Sequence, residues 1–273
     1  WQGLGYYARA RNLHKCAQVV DGEFNGQFPS EERDLLALPG IGPYTAAAIA
    51  AIAFDRAATP VDGNIERVIS RLYRISEPLP GAKRAIKARA AAVTPASRCG
   101  DYAQAVMDLG ATICTPRNPA CPLCPWREHC AAFRAGDADS FPKKVPKKQK
   151  PTRVGVAFWL EDRRGRVLIR RREERGLLGG MMEFPSTDWV EGTWQNDEVL
   201  AAAPIKTDWH MVSGMVRHTF THFHLELTVF RGRSPKEREP RGVWCEVEKF
   251  GDHALPTVMK KVARHVLENM GRD

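Results

Sequence analysis

Cys114-Thr115-Pro116-Arg117-Asn118-Pro119-Ala120-Cys121-Pro122-Leu123-Cys124-Pro125-Trp126-Arg127-Glu128-His129-Cys130 gathers four of the chain's seven cysteines into one proline-rich loop. In a reducing compartment, soft thiolates this closely spaced converge on a metal centre more readily than they pair as disulfides. The donor set suits a structural zinc or an iron–sulfur cluster, and the residues alone leave both open.

Upstream of this loop the pattern is helical throughout. Over 6–20, Leu13, Ala17 and Val20 recur at helical spacing with Arg9, Arg11 and Lys15 on other faces, which predicts an amphipathic helix with a basic side. Further helices are predicted over 31–37, 45–54, 65–72, 83–93 and 102–113, separated by turns such as Leu38-Pro39-Gly40. Downstream, the stretch 136–151 interleaves Lys143, Lys144, Lys147, Lys148 and Lys150 with Pro142, Pro146 and Pro151, the composition of an extended basic linker. Beyond it, 154–160, 166–169 and 218–230 read as strands, and a helix over 257–270 closes the chain. The expected fold class is therefore α + β in two domains: all-α over 1–135, a linker over 136–151, and α+β over 152–273.

The 273 residues, 43% of them hydrophobic, can fill a core in each domain. Forty-one Lys and Arg against 32 Asp and Glu give a net charge of +9, which favours an anionic partner without specifying one. No apolar run approaches the roughly 18 residues of a membrane span, and no signal-peptide layout opens the chain. No membrane partner is expected, and the protein reads as an intracellular monomer, cytoplasmic and nucleoid-associated if bacterial. Trp1 stands where a methionine would begin a complete chain, so the sequence is expected to be a fragment of a longer one.

Two further segments carry chemistry. Leu38-Pro39-Gly40-Ile41-Gly42 runs into a helix, and its glycines permit a tight turn with amides facing outward beside a helix N-terminus, a ready anion site. A lone Gly-x-Gly is equally an ordinary turn. Thr59-Pro60-Val61-Asp62-Gly63-Asn64-Ile65 opens a helix with an apolar stripe of Ile65, Val68, Ile69 and Leu72, where Asp62 on chemical grounds alone is a helix cap.

Taken together, these motifs resemble the endonuclease III and adenine glycosylase superfamily. The C-x6-C-x2-C-x5-C array is similar to its cluster loop, which implies a [4Fe-4S] cofactor on Cys114, Cys121, Cys124 and Cys130. The segment Leu38–Ala46 resembles its helix-hairpin-helix element, which implies DNA-backbone contacts at Gly40 and Gly42, with Arg117 a further phosphate contact. Where the superfamily's bifunctional members carry a Schiff-base lysine, this sequence has Tyr44, so no backbone cleavage is expected. The stretch from Val61 to Val68 resembles the segment with the essential aspartate, which makes Asp62 the catalytic carboxylate and Asn64 the residue that orients it or the attacking water.

Three stretches are closer to the adenine-specific branch. The opening thirteen residues resemble its loop and helix, where Tyr6 would wedge into the duplex, and Ala105–Ala111 is equally similar. Arg217–Leu225 resembles its 8-oxoguanine-sensing loop, with Thr221 in place of the usual serine and beside it His222. The resemblance implies a monofunctional enzyme that removes adenine opposite 8-oxoguanine or guanine from double-stranded DNA. The family's acid, a glutamate, lies before the segment matching Trp1, so the chain by itself is expected to bind DNA but scarcely to react.

Competing readings are a thymine or uracil mismatch glycosylase, which would not need the C-terminal domain, and a DNA-binding module without catalysis. A Nudix pyrophosphohydrolase is a third, because 176–185 is similar to that fold. The Arg-Glu-x-x-Glu-Glu run such enzymes use for magnesium is absent from 186–200, so a Nudix-like reader is expected instead. His218, His222 and His224 invite a metal reading, with His222 and His224 on one strand face, but packing or hydrogen bonding is the ordinary role of strand histidines.

Overall fold

The computed structural model describes residues 4–146, 149–234 and 241–271. The chain divides into two compact units, one formed by Arg11–Lys147 and the other by Trp1–Ala10 with Lys148–Asp273.

The first unit is helical: α1 (Tyr7–Phe24, which begins in the other unit), α2 (Glu32–Leu36), α3 (Pro43–Phe54), α4 (Gly63–Leu72), α5 (Lys83–Ala92), α6 (Cys99–Asp108) and α7 (Ala131–Arg134). Helix α3 buries Ala46, Ala47, Ala50 and Ala51. Small side chains there let α6 approach closely, and a Cβ on Gly100 would stand 2.8 Å from the Ala51 carbonyl oxygen. Helix α4 carries the expected stripe, with Ile65, Val68 and Ile69 buried against Ile86, Ala90, Val106 and Leu109. In α1 the buried residues are Cys16 and Val20, whereas Leu13 is 62% exposed and Ala17 is exposed. Only the second half of α1 packs into this unit's core, so the predicted stripe begins a turn too early.

The helix predicted over 102–113 ends at Ile113, but its last turn is not α-helical. Helix α6 runs into a π-helical turn, Leu109–Ile113, closed by the Cys114 N–H donating to the Leu109 carbonyl at 2.7 Å. Such widened turns concentrate at functional sites, and this one delivers the first cysteine of the loop.

The expected linker is only partly one. Phe141 is 4% exposed, Arg74 pairs with Asp137 at 2.8 Å, and the Leu79 N–H donates to the Lys143 carbonyl at 2.8 Å. The aromatic ring outweighs its lysine-rich surroundings: Arg74 and Lys143 lie over its faces, and burial of the ring anchors the segment. Lys147 and Lys148 lie outside the described residues, and Lys150 and Pro151 already bond to the second unit.

The second unit is a mixed sheet with helices on both faces: β1 (Thr152–Glu161), β2 (Val167–Arg171), β3 (Met182–Glu183), α8 (Asn196–Ala201), β4 (His210–Met211), β5 (Val216–Thr219), β6 (His224–Arg233), β7 (Val243–Cys245) and α9 (Thr257–Met270). The strands run β3-β2-β1-β6-β4, with β5 beside β6 and β7 beside β2. Strands β1 and β6 pair in parallel from Thr152 opposite His224 to Glu161 opposite Arg233, while the other pairs are antiparallel. Strand alternation sends Ala157 and Trp159 to the face covered by α9, and Val156 and Phe158 to the face covered by α8.

The long strand expected over 218–230 is two strands. A tight turn interrupts it, with the Phe220 N–H donating to the Phe223 carbonyl at 2.9 Å. Apolar residues on both sides of the turn hide it from a hydrophobicity pattern. The break places Thr221 and His222 at a hairpin tip, so His222 and His224 do not share a strand face.

Candidate active site and cysteine loop

Asp62 is the N-cap of α4. Its Oδ1 accepts from the backbone N–H of Asn64 at 2.9 Å and of Ile65 at 2.7 Å, the geometry of a helix cap. Its Oδ2 accepts from Asn64 Nδ2 at 3.1 Å. The cap therefore fixes the carboxylate rather than consuming it. One oxygen is tied to the backbone, and the other keeps a lone pair free beside the positive end of the helix.

Two arginines bury themselves along the same face of α4, one turn apart. Arg67 donates through Nη2 to Asn64 Oδ1 at 2.8 Å and to the Gly110 carbonyl at 2.6 Å, and through Nε to the Cys114 carbonyl at 2.7 Å. Arg71, 1% exposed, donates through Nη1 to Cys114 Sγ at 3.2 Å and to the Thr115 carbonyl at 2.8 Å. Gly110 is required where it stands, since a Cβ there would approach the Asn64 Cβ to 2.6 Å. Sequence reasoning missed all three. The available signal was the i, i+3, i+7 spacing of Asn64, Arg67 and Arg71, which places them on one helix face.

The four loop cysteines line one small cavity of about 20 Å³ together with Arg71 and Phe133. Among the described residues, no three cysteine, histidine or carboxylate groups are placed to grip a single ion. A tetrahedral zinc with bonds of ~2.3 Å would draw its sulfurs to within about 3.8 Å of one another, whereas a cubane binds each cysteine through a different iron. Four thiols around one cavity are a donor set that fits such a cluster. Burial pushes the Cys121 thiol up, and Cys114 and Cys130 push it further. Burial also raises Cys124. A metal that binds thiolates would compensate the charge of these two, and Arg71 adds a hydrogen bond to Cys114 Sγ.

The hairpin joins α2 to α3. Gly40 has φ +77°, and a Cβ there would meet the Asn12 Cβ at 2.5 Å, so glycine answers both demands. Gly42 is the N-cap of α3 with φ −92° and open space around it, which leaves the first-turn amides of α3 accessible. Tyr44 follows in that turn, 43% exposed, its hydroxyl 3.8 Å from Met107 Sδ. Burial, and then the Asp62 carboxylate, hold its phenol above the ordinary value. Arg117 is an exposed loop residue.

In the sheet unit, Thr221 and His222 stand exposed at the β5–β6 tip. Lys150 Nζ donates to the Phe220 carbonyl at 3.0 Å, and Trp189 stacks on Phe220 with centroids 5.6 Å apart. His218 packs edge-on against Phe220, and burial followed by Lys261 depresses its basicity, while His224 Nδ1 lies 2.9 Å from Thr219 Oγ1. His218 is thus a packing residue and His224 a hydrogen-bonding one. Tyr6 is 72% exposed with φ +49°, an uncommon conformation for a bulky residue, and Arg9 lies over its ring. Residues 1–3 of the similar opening stretch lie outside the described residues.

Comparisons with known proteins follow the same division. Residues 1–94 match the HhH-GPD superfamily of base excision DNA repair proteins, 114–130 match the iron–sulfur binding domain of endonuclease III, and 156–265 match the NUDIX domain. The human adenine DNA glycosylase is 32% identical over 97% of this chain and 59% of its own length. The chain thus spans under two thirds of that relative. The adenine DNA glycosylase of Buchnera aphidicola (strain Sg) is 31% identical over 96% of this chain and 77% of its own length. Among solved structures, a thermostable thymine-DNA glycosylase is 34% identical over 46% of this chain and 58% of its own, with a TM-score of 0.42. The chain carries an iron–sulfur loop, and no helix among the described residues is long and apolar enough to cross a membrane. Because a relative 31% identical is matched over 96% of this chain and 77% of its own length, the chain belongs to the adenine DNA glycosylase family.

Proposed function

We propose that the protein hydrolyses the N-glycosidic bond of adenine mispaired with 8-oxoguanine or guanine in duplex DNA, and leaves the backbone intact. The observation that carries this reading is the pinned carboxylate of Asp62. As the base departs, positive charge builds on the deoxyribose, and a fixed carboxylate at that face stabilises it by charge or by a transient covalent bond. Asn64 holds Oδ2 through Nδ2 while Arg67 holds Asn64 through Oδ1, so the amide cannot flip and the free lone pairs of Asp62 keep their direction.

Tyr44 supplies a phenol and no amine at the position a Schiff-base mechanism needs, so water alone adds to the sugar carbon that adenine leaves, and the sugar stays in the backbone. The target base must first leave the stack. Tyr6 is the wedge assigned to that step, and the hairpin at Gly40 and Gly42, with Arg117, grips phosphates. In the sheet unit Thr221 and His222 read the opposite base from a hairpin tip braced by Lys150 and Trp189. When bound, the [4Fe-4S] cluster, on Cys114, Cys121, Cys124 and Cys130, cross-links the loop from which Arg67 and Arg71 take carbonyl and sulfur partners.

The test is Asp62→Asn in the protein as its gene encodes it. Asparagine caps a helix about as well as aspartate, so the change removes the charge and keeps the fold. Single-turnover release of adenine opposite 8-oxoguanine should fall by about 10² to 10⁴ with unchanged melting. Retention of the parent rate would leave Asp62 a helix cap and nothing more.

A further inference from the structure

The sheet unit holds a cleft of about 1030 Å³ between β2, β3 and β7, lined by none of the residues given a role above. Five of its lining side chains are arginines: Arg170, Arg171, Arg172, Arg175 and Arg241. Three carboxylates, Glu173, Glu183 and Asp188, line it as well, so the ionised groups leave an excess of two positive charges (five minus three).

The floor is built, not incidental. Glu183 is 2% exposed and its two oxygens are divided between two guanidinium groups: Arg170 Nε donates to Oε1 at 2.9 Å, and Arg172 Nη1 donates to Oε2. Ser186 Oγ adds a hydrogen bond to Oε2 at 3.1 Å. A buried carboxylate gripping two arginines orients both forks, and their side chains remain 42% and 26% exposed with N–H groups to spare. Arg172 is also laid over the Trp189 ring at 5.2 Å. At the rim, Arg175 and Arg241 are exposed and make no hydrogen bond or ion pair with the described residues.

Guanidinium forks match phosphate oxygens bidentately. The apolar lining is Leu168, Met182, Pro185, Pro204 and Val243. Among the described lining residues there is no aromatic ring and no Asn or Gln, so a base would find neither a stacking face nor an amide to pair with. A lining that offers guanidinium forks to phosphate and no ring to stack a base suits a repeating phosphodiester better than a free nucleotide. We propose that this cleft is a second docking surface for the DNA backbone, separate from the chemistry at Asp62. The inference rests on the reading of the chain as a DNA-acting protein.

The experiment measures binding of a short undamaged duplex by fluorescence anisotropy across a salt titration, so excision plays no part in the readout. Parent protein is compared with Arg175→Gln/Arg241→Gln and with Arg175→Lys/Arg241→Lys. The glutamine pair should weaken binding about tenfold and flatten the salt dependence by about two units of slope, one for each phosphate that an arginine of the pair neutralises. The lysine pair should keep most of both, and all three proteins should melt alike. Equal affinity and slope in the parent and the glutamine pair would overturn the proposal. So would displacement of the duplex from the parent, but not from the glutamine pair, by a nucleoside triphosphate at equal phosphate concentration, because the cleft would then be a mononucleotide site. If duplex binding responds as expected and adenine is never released, the cleft stands and the excision reading falls.

Discussion

Arg67→Ala removes a guanidinium that ties three segments together. Its hydrogen bonds reach the Cys114 carbonyl at 2.7 Å, the Gly110 carbonyl at 2.6 Å, the Gly63 carbonyl at 3.2 Å and Asn64 Oδ1 at 2.8 Å. With the side chain 8% exposed, water cannot replace all four donors at once. Each bond from a charged donor is worth about 1.5–3 kcal/mol, but the contributions are not additive, and the desolvation cost of burying the guanidinium is recovered when it goes. Stranding buried acceptors costs about 1–3 kcal/mol each, and a non-additive total of about 3–5 kcal/mol, at about 2–4 °C per kcal/mol, lowers melting by roughly 6 to 20 °C. The assay is melting followed by circular dichroism and by visible absorbance of the cluster, since both the cysteine loop and α4 lose a tether. Arg67→Lys keeps a charge but not the fork, and should fall between parent and alanine, which keeps the measurement available if the alanine variant does not fold. Adenine release should drop with stability in both variants, because Asn64 loses the partner that stops its amide from turning. An alanine variant within about 1 kcal/mol of the parent, with colour and rate intact, would show that the network is incidental.

The purified protein should be brown and carry about four iron and four sulfide per chain, and Cys121→Ser should bleach it. One zinc and no iron by elemental analysis would refute the cluster. Borohydride should trap no covalent protein–DNA adduct, because Tyr44 offers no amine; a trapped adduct through an amine would overturn that assignment. Thr221→Ala with His222→Ala should narrow the preference for adenine opposite 8-oxoguanine over adenine opposite guanine while leaving cluster content unchanged. A preference equal to the parent's would remove the hairpin tip from base reading.

The parts legible in the sequence are those whose signal is local. The stripe Ile65, Val68 and Ile69 is a helix face, the cysteine spacing is a ligand set, and the Gly40 turn declares itself by composition. Three features were not local. In a helical pattern Arg67 and Arg71 read as solvated polar positions, and only the return of the chain through the π-helical turn some 45 residues later buries them. The 136–151 segment reads as linker because five lysines and three prolines dominate one buried phenylalanine. The turn at 220–223 carries Phe at both ends and no Gly, Pro or Asn between them, so nothing in its composition announces it. The contacts behind Asn64 also bear on the two readings of Asp62. A cap alone needs Oδ1 and the first turn of α4, which any Asp at that position obtains. It needs no Asn64 Nδ2 on Oδ2, no Arg67 behind Asn64, and no glycine at position 110 to make room for the Asn64 backbone. Each of these constrains the direction of the second oxygen and adds nothing to the capping bond, and a carboxylate held to one direction on both oxygens is what stabilising a sugar cation at a fixed place requires.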